Sequence, residues 1–255
     1  MDLPPASPSL AGSASRPVPG SAGAVAGAPG QRHAWVAGAS GLVGRQLVDT
    51  LLEAPEYARV NAITRRPFGR EHARLANRIV AFERLDAQLA GVACHDAFCC
   101  IGTTLRNAGS EAAFRAVDHG EVLRFARVAR RAGAERFVFV SAAGADPAAG
   151  NFYLRVKGET EADLAALGFP ALDIVQPGLL LGGSRAETRP LEAVGRVLMP
   201  LANPLLQGRW LAFRGIDVRE LSRAMLGIAR SGRRGVQRYT FEALRKAAAK
   251  AAGGR

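Results

Sequence analysis

Cysteine is scarce in this sequence, and its scarcity excludes several classes of protein. Three cysteines occur in 255 residues, at positions 94, 99 and 100, which is too few and too clustered for a disulfide framework. No Cys-x-x-Cys pair is present, so we expect no zinc site and no other metal site. No apolar run approaches the length of a membrane span. The sequence therefore predicts a cytoplasmic protein without disulfides.

Acidic residues are scarce in the last third of the chain. The net charge is +12, and from residue 185 onward 15 Lys or Arg residues stand against 5 Asp or Glu residues. A basic surface can attract an anionic substrate, a nucleic acid or a membrane surface. The simpler interpretation is a solvated basic surface, and we expect no nucleic-acid partner.

Large apolar side chains are few in residues 1–30, which consist almost entirely of Ala, Gly, Pro and Ser. Such a segment buries too little apolar surface to offset its chain entropy, so we predict a disordered tail. It also lacks the basic stretch followed by an apolar core that marks a secretory signal.

The most informative stretch runs from Trp35 to Gly44 and reads WVAGASGLVG. A short apolar run enters a glycine turn, and an apolar helical pattern follows it. In dinucleotide folds such glycines allow a tight turn, close approach of a pyrophosphate and close packing of helix on strand. The helix N-terminus offers free N–H groups to the phosphates. We predict cofactor contacts from Gly38, Ser40, Gly41, Leu42, Val43 and Gly44.

The second predicted strand, residues 60–64, lacks the terminal acid that binds the ribose hydroxyls of NAD. Arg65 and Arg66 stand in its place. Guanidinium groups suit a 2′-phosphate, which they grip with paired hydrogen bonds. The sequence therefore predicts NADP (NADPH) rather than NAD, and the alternative is two arginines on an ordinary surface.

Strand and helix patterns alternate along the chain from residue 31 to residue 242. The predicted strands are 34–37, 60–64, 78–82, 96–101, 136–140, 171–176 and 239–241. The predicted helices are 42–53, 111–131, 151–167 and one that Asp217 caps and that ends near 230. This alternation predicts an α/β fold, namely a single domain with a Rossmann-type doubly wound parallel sheet. Residues 243–255 are predicted as a basic C-terminal helix or tail.

Ser141, Tyr153 and Lys157 form the second chemical signal. Tyr153 and Lys157 are four residues apart on a predicted helix, so they share a face. A neighbouring ammonium favours the phenolate and lowers the tyrosine pKa from about 10 toward working pH. A general acid or base needs such a pKa. Ser141 ends a predicted strand and could hold the substrate oxygen, whereas the alternative is three unrelated packing, surface and capping residues.

These motifs together resemble the short-chain dehydrogenase/reductase superfamily over about residues 32–242. They are most similar to its atypical branch, the oxidoreductases named after the HIV Tat-interacting protein. The matching segments are GASG at 38–41, TRR at 64–66, CCIGTT at 99–104 and FYLRVKGE at 152–159, together with Ser141.

The resemblance implies a Rossmann fold, NADPH binding and catalysis by Ser141, Tyr153 and Lys157. It assigns the following residues to the cofactor: Gly38, Ser40, Gly41, Gly44, Arg65, Arg66, Asp86 near the adenine, Gly102 and Thr103 near a ribose, Tyr153, Lys157 at the nicotinamide ribose, and Pro177. Two positions depart from the family. Gln176 stands where an arginine is usual, and the stretch Val117-Asp118-His119 lacks the asparagine that completes the proton relay of the superfamily.

Several functions fit these residues. The first is an NADPH-dependent carbonyl reductase, and the second is an NADPH-binding regulator or assembly scaffold with little turnover. A sugar-nucleotide epimerase uses the same three side chains, but Arg65, Arg66 and the short C-terminal part count against it. A semialdehyde dehydrogenase would use Cys99 or Cys100 as a nucleophile, yet both cysteines lie in an apolar strand.

The substrate cover is expected after the sixth strand, at about residues 179–214, because nothing earlier has spare length. Its arginines at 185, 189 and 209 outnumber its acids at 187 and 192. We therefore expect a small-molecule substrate that bears a carboxylate or phosphate, and the alternative is that these arginines only face water. Dimers are common among relatives, so a homodimer is compatible with the resemblance.

Overall fold

The computed structural model describes residues 32–182 and 213–253. Its centre is a seven-stranded sheet. The sheet strands are β1 Arg32–Ala37, β2 Tyr57–Thr64, β3 Leu75–Ile79, β4 Asp96–Cys99, β5 Arg136–Val140, β6 Ala171–Val175 and β9 Gly235–Tyr239. Each neighbouring pair of strands is parallel, in the order β3-β2-β1-β4-β5-β6-β9. Two short strands, β7 Leu180–Leu181 and β8 Ile216–Asp217, pair separately.

Helices connect the strands. They are α1 Leu42–Glu53, α2 Leu85–Gln88, α3 Leu105–Ala108, α4 Glu111–Arg115, α5 Val122–Arg131, α6 Phe152–Ala166, α7 Val218–Ala229 and α8 Phe241–Gly253. A 3₁₀ turn covers Phe82–Arg84, and a π-helical turn, Ala116–Glu121, joins α4 to α5. The predicted helix over 111–131 is thus present, but with an irregular middle.

The sheet has a separate apolar core on each face, as a doubly wound fold requires. One core contains α1, α7 and α8, with Leu47, Leu221 and Leu244 fully buried. The other contains α5 with Phe125, and it continues into Phe137 and Leu172 of the sheet. Because the central strands are covered on both faces, their sequences are nearly continuous apolar runs.

The strand order reverses between β1 and β4, which are neighbours in the sheet although β2 and β3 separate them in sequence. In open parallel sheets the loops that follow such strands diverge and leave a crevice at their carboxyl ends. The glycine turn after β1 and the segment 100–104 after β4 border this crevice, and Ser141 follows the next strand, β5.

The comparison with the expected elements confirms the fold class and corrects some boundaries. The third strand lies at Leu75–Ile79, earlier than predicted, and Phe82 belongs to a 3₁₀ turn. The last strand is Gly235–Tyr239, and Phe241 begins a helix. That helix packs on α7 and buries Leu244, so residues 243–253 are part of the domain rather than a tail.

Two predicted segments fall wholly or largely outside the described residues. These are the tail at 1–30 and most of the substrate cover at 179–214, including Arg185, Arg189, Arg209, Glu187 and Glu192. Asp217 is described, and its carboxylate accepts a hydrogen bond from the N–H of Arg219 at 2.8 Å. The predicted cap of α7 is therefore confirmed.

Candidate active site

Two adjoining cavities open at the carboxyl ends of the central strands. One has a volume of about 380 Å³ and the other about 620 Å³, and both are lined by Gly41, Gly102 and Thr103. The larger cavity extends toward Gly38, Ser40 and Arg65. Volumes of this size are typical of small-molecule and cofactor sites.

The glycine turn after β1 has the geometry of a phosphate cradle. Gly38 has φ +72°, a left-handed conformation that favours glycine, and a Cβ there would lie 2.6 Å from the carbonyl oxygen of Cys100. The N–H of Gly41 donates to the carbonyl of Gly38 at 2.9 Å and closes the turn. Helix α1 then begins with no side-chain cap and no acid in its first turn. Its first N–H groups are left to bind an anion.

Gly44 acts through packing rather than through contact with the cavity. A Cβ at this position would lie 2.8 Å from Cα of Ala39 and closer still to the carbonyl oxygen of Gly38. Both are backbone atoms, so they cannot move aside as a side chain would. The absence of a side chain lets α1 lie close against the turn that it follows.

We expect Gly44→Ala to destabilise the protein by about 1–3 kcal/mol, because the added methyl forces α1 away from the turn. Binding of the expected dinucleotide cofactor, followed by the fluorescence of its reduced form, should weaken at least about tenfold, a loss of about 1.4 kcal/mol. Gly253→Ala is the matched control, because nothing lies within 4 Å of a Cβ at that helical glycine. Equal urea-denaturation midpoints for the two variants would contradict the packing role of Gly44.

The predicted cofactor residues do not all meet at the cavities. Arg65 is exposed and lines the larger cavity beside Thr64, whereas Arg66 lies outside the lining of both. Asp86 forms an ion pair with Arg131 on the surface between α2 and α5. The structure therefore places Arg65 and Phe82 in the lining of the larger cavity, whereas Asp86 lines neither of the two cavities.

Ser141, Tyr153 and Lys157 all line the smaller cavity, together with Leu42, Val43 and Pro177. Ser141 follows β5, and the other two project from the first turns of α6, whose cap is the side chain of Asn151. Tyr153 is half-buried, and its ring centroid lies 5.7 Å from that of Phe114. The phenol is thus packed on one side while it faces the cavity.

Lys157 is buried and paired with a carboxylate. Its Nζ lies 2.8 Å from Oδ1 of Asp118, and the side chains are 4% and 0% exposed. The other oxygen, Oδ2, accepts a hydrogen bond from the N–H of Thr103 at 2.8 Å. Burial lowers the pKa of Lys157. The charges of Asp118 and Tyr153 and the hydrogen bond to Asp118 together raise this pKa by more than burial lowers it, so the pKa lies above its usual value.

Ser141 also has a buried carboxylate as its partner. Its hydroxyl donates to Oε1 of Glu161 at 2.5 Å, and the side-chain amide of Gln176 donates to the same oxygen at 2.8 Å. Nε of Arg238 lies 3.1 Å from Oε2 and completes the set. Gln176, the residue that departs from the family pattern, is therefore a hydrogen-bond donor to Glu161.

Cys99 is the last residue of β4 and Cys100 follows it, and neither thiol has the environment of a nucleophilic cysteine. Burial raises the pKa of the Cys99 thiol to about 12 and that of Cys100 well above its usual value. A nucleophilic cysteine needs a lowered pKa. This environment counts against the semialdehyde dehydrogenase alternative.

Asp118, Glu161 and Glu121 are site residues that sequence reasoning does not identify as such. Asp118 lines the smaller cavity and Glu121 the larger one, whereas Glu161 lies behind Ser141. Burial raises the pKa of Glu121, although Arg65 acts in the opposite direction. The sequence feature that could have identified Asp118 is its place in the stretch that lacks the expected asparagine. The feature that could have identified Glu161 is its position four residues after Lys157, one helical turn along α6.

Within the described ranges, 32–182 and 213–253, no group of three or more potential metal ligands occurs. Within the same ranges, no helix combines the length and apolarity needed to cross a bilayer. His119 pairs with Asp163 at 2.8 Å between the neighbouring helices.

Comparison with known proteins identifies the family of the chain. A family model described as NAD(P)H-binding matches residues 38–192. Protein HTATIP2 of Rattus norvegicus is 35% identical over 199 residues, which are 76% of this chain and 80% of that protein. The mitochondrial protein fmp52 of Aspergillus fumigatus is 36% identical over 178 residues, 67% of this chain and 76% of its own length.

A solved structure supports the fold. The UDP-glucose 4-epimerase of Thermotoga maritima, crystallised with UDP-glucose, has a TM-score of 0.60 and 14% sequence identity. The match covers 82% of this chain and 76% of that one. At this identity the likeness extends to the Rossmann architecture and not to the substrate.

The fungal relatives correct one expectation. They are named as mitochondrial proteins, so the prediction of a cytoplasmic location is wrong. That prediction rested on the scarcity of cysteine, which argues only against an oxidising compartment. A reducing environment does not distinguish the cytoplasm from other reducing compartments, and this is why the inference failed.

Proposed function

This chain belongs to the NAD(P)H-binding family of HTATIP2 and FMP52, an atypical branch of the short-chain dehydrogenases/reductases, and we propose that it is an NADPH-dependent carbonyl reductase. One observation carries the proposal. Ser141, Tyr153 and Lys157 line a cavity that adjoins the glycine cradle, and the two cavities share Gly41, Gly102 and Thr103. A sensor would need the cradle but not this set of side chains.

The described residues fit a dinucleotide. The turn at Gly38 and the uncapped start of α1 would hold the pyrophosphate, and Arg65 would contact the 2′-phosphate. Gly102 and Thr103 lie where the two cavities meet and would border the ribose next to the nicotinamide. NADPH, when bound, supplies the hydride that reduces a carbonyl carbon.

The protein supplies the proton and the orientation. In the proposal the Tyr153 hydroxyl gives its proton to the carbonyl oxygen, which yields the alcohol, and the phenolate regains a proton from solvent. Lys157 stabilises the phenolate by its charge. Because the Ser141 hydroxyl donates its only proton to Glu161, its oxygen can only accept hydrogen bonds from other groups. We assign it to accept a hydrogen bond from the alcohol product, rather than to polarise the carbonyl.

Turnover is the direct test of the proposal. Oxidation of NADPH would be followed with a panel of aldehydes, ketones and quinones, including neutral and carboxylated or phosphorylated members. Saturable oxidation with any carbonyl compound, with an alcohol as product, supports the reductase. Tight NADPH binding without turnover across the panel would favour a binding or scaffold role.

The cofactor preference rests on the arginines. We expect Arg65→Ala to weaken NADPH binding by about 1.5–3 kcal/mol, the loss of a charged hydrogen bond, while NADH binding changes little. Arg66→Ala is the matched control, because Arg66 lies outside the lining of both cavities, and its effect should be smaller. Fluorescence titration of both cofactors measures this. Equal wild-type affinities for NADH and NADPH would refute the preference.

A further inference from the structure

We propose that Glu121 is the residue that selects the base of the cofactor, because its carboxylate accepts a hydrogen bond from the exocyclic amino group of adenine. The role rests on the dinucleotide site proposed above and assigns to that site the residue that recognises the base. Binding measurements alone test the role, so the test does not depend on turnover.

Part of the larger cavity lies beyond the region that it shares with the smaller one. Its lining there comes from the end of β2, the 3₁₀ turn and the π-helical turn, and we call this part the adenosine end. The residues of the adenosine end are Ile63, Thr64, Arg65, Phe82, Val117 and Glu121. In dinucleotide folds the end of the second strand meets the adenosine ribose, so the base would lie here.

The adenosine end carries one charge of each sign. Arg65 and Glu121 are the only charged residues among the described residues that line the larger cavity. Within 32–182 and 213–253, neither side chain forms a hydrogen bond or a close ion pair, so both are available to a ligand. The guanidinium suits the 2′-phosphate. A carboxylate only accepts hydrogen bonds, and the amino group of adenine is a donor.

An aromatic ring is held near the carboxylate. Arg124 lies three residues after Glu121, and its guanidinium donates a hydrogen bond to the carbonyl oxygen of Phe82 at 3.2 Å. This bond ties the 3₁₀ turn to the start of α5, where Glu121 lies. An aromatic ring offers a face on which a base can stack, while a polar side chain recognises its edge. The two residues together suit a purine that bears an amino group.

A different acid is expected at the adenine from the family resemblance. Asp86 lines neither of the two cavities, and its carboxylate pairs with Arg131 on the surface. Glu121, by contrast, is half-buried and is the acid in the described lining of the larger cavity. A hydrogen bond from a ligand offsets part of the hydration that a half-buried carboxylate has lost. The structure thus favours Glu121 over Asp86 as the acceptor.

Two cofactors that differ in the base test the role. Deamino-NADPH carries hypoxanthine, in which a carbonyl oxygen replaces the amino group of adenine and the remaining donor, the ring N1–H, lies at the neighbouring position. We expect the wild type to bind NADPH about 10- to 100-fold more tightly than deamino-NADPH, the effect of one hydrogen bond to a charged group. Fluorescence of the reduced nicotinamide measures both dissociation constants.

The titrations should be done at pH 8, so that Glu121 is ionised. Burial raises the pKa of this carboxyl above its usual value, and the charges of Glu83 and Asp118 raise it as well. The charges of Arg65 and Arg124 act in the opposite direction.

Glu121→Gln is the informative variant, because it removes the charge with almost no change in size. Its amide offers an acceptor to adenine and a donor to the oxygen of hypoxanthine, so the two affinities should lie within about threefold of each other. Glu83→Gln and Asp86→Asn are the matched controls. Both carboxylates are exposed, neither lines the larger cavity, and both variants should keep the wild-type ratio. A ratio lost in Asp86→Asn but kept in Glu121→Gln would assign the role to Asp86.

Titration with NADH and deamino-NADH removes the 2′-phosphate from the comparison, and the base should then be selected by the same ratio. If Glu121→Gln binds NADPH and deamino-NADPH more tightly by the same factor, the carboxylate only opposes Arg65 and the proposed role is overturned.

The role of Glu121 and the reductase function fail separately. A wild type that selects adenine but reduces no carbonyl compound refutes the reductase and leaves the role of Glu121 intact. An active reductase with equal affinities for NADPH and deamino-NADPH overturns the role of Glu121 alone. A wild type that binds none of the four dinucleotides refutes both.

Discussion

Replacement of Tyr153 by phenylalanine is expected to lower kcat/KM for carbonyl reduction by about 10²–10⁴-fold, the usual contribution of a positioned general acid. The ring should stay in place, because it packs against Phe114 with centroids 5.7 Å apart and the substitution removes only the hydroxyl. Affinity for NADPH should change little. Steady-state NADPH oxidation and fluorescence titration on the same preparation measure both quantities.

Tyr239→Phe is the control for the loss of a tyrosine hydroxyl. Tyr239 donates to Oδ1 of Asp173 at 3.0 Å and is absent from the described lining of both cavities. We expect this variant to lose some stability but to retain its activity per folded molecule. If Tyr153→Phe retained full kcat/KM, the proton would come from another group, and the proposed role of Tyr153 would be wrong.

The segment from β1 to the end of α1 is predictable from sequence because its determinants are local. The glycine at 38, the apolar run before it and the helical pattern after it each restrict the backbone within a few residues. The observed helix bounds, Leu42–Glu53, equal the predicted ones. The same holds for β5, a short apolar strand that ends immediately before Ser141.

The buried acids are harder to predict because their partners are distant in sequence. Lys157 lies 39 residues after Asp118, and the pair depends on a π-helical turn that has no clear sequence signature. Asp86 is the reverse case, since the family resemblance suggests a cofactor contact while the structure shows an ion pair with Arg131, so that contact stays a prediction. Where a contact depends on packing between helices, the pattern along one helix does not determine it.

A second buried ion pair lies in the parallel sheet. Arg136 on β5 pairs with Asp173 on β6, and their side chains are 7% and 0% exposed. The guanidinium also donates a hydrogen bond to the carbonyl oxygen of Arg233 at 2.8 Å, and Asp173 accepts a hydrogen bond from the hydroxyl of Tyr239. Burial raises the pKa of Asp173 above its usual value, although Arg136 and Tyr239 act against this shift.

Replacement of Arg136 by methionine is therefore expected to cost about 3–5 kcal/mol of unfolding free energy at neutral pH, because a buried carboxylate is left without its cation. The carboxylate of the variant should have a pKa even further above its unfolded value. A raised folded-state pKa means that the penalty is absent at low pH, where Asp173 is protonated in both states, and grows as the pH rises above the unfolded pKa. The deficit relative to the wild type should thus be smaller near pH 4 than near pH 8.

Adding Asp173→Asn to Arg136→Met should recover most of the lost stability, since the asparagine keeps an acceptor for Tyr239 and carries no charge. Urea denaturation of the wild type, both single variants and the double variant at several pH values forms a complete cycle, whose coupling term isolates the pair. A double variant as unstable as Arg136→Met at neutral pH would show that the loss comes from the packing of the arginine and its bond to Arg233, and not from the unpaired carboxylate.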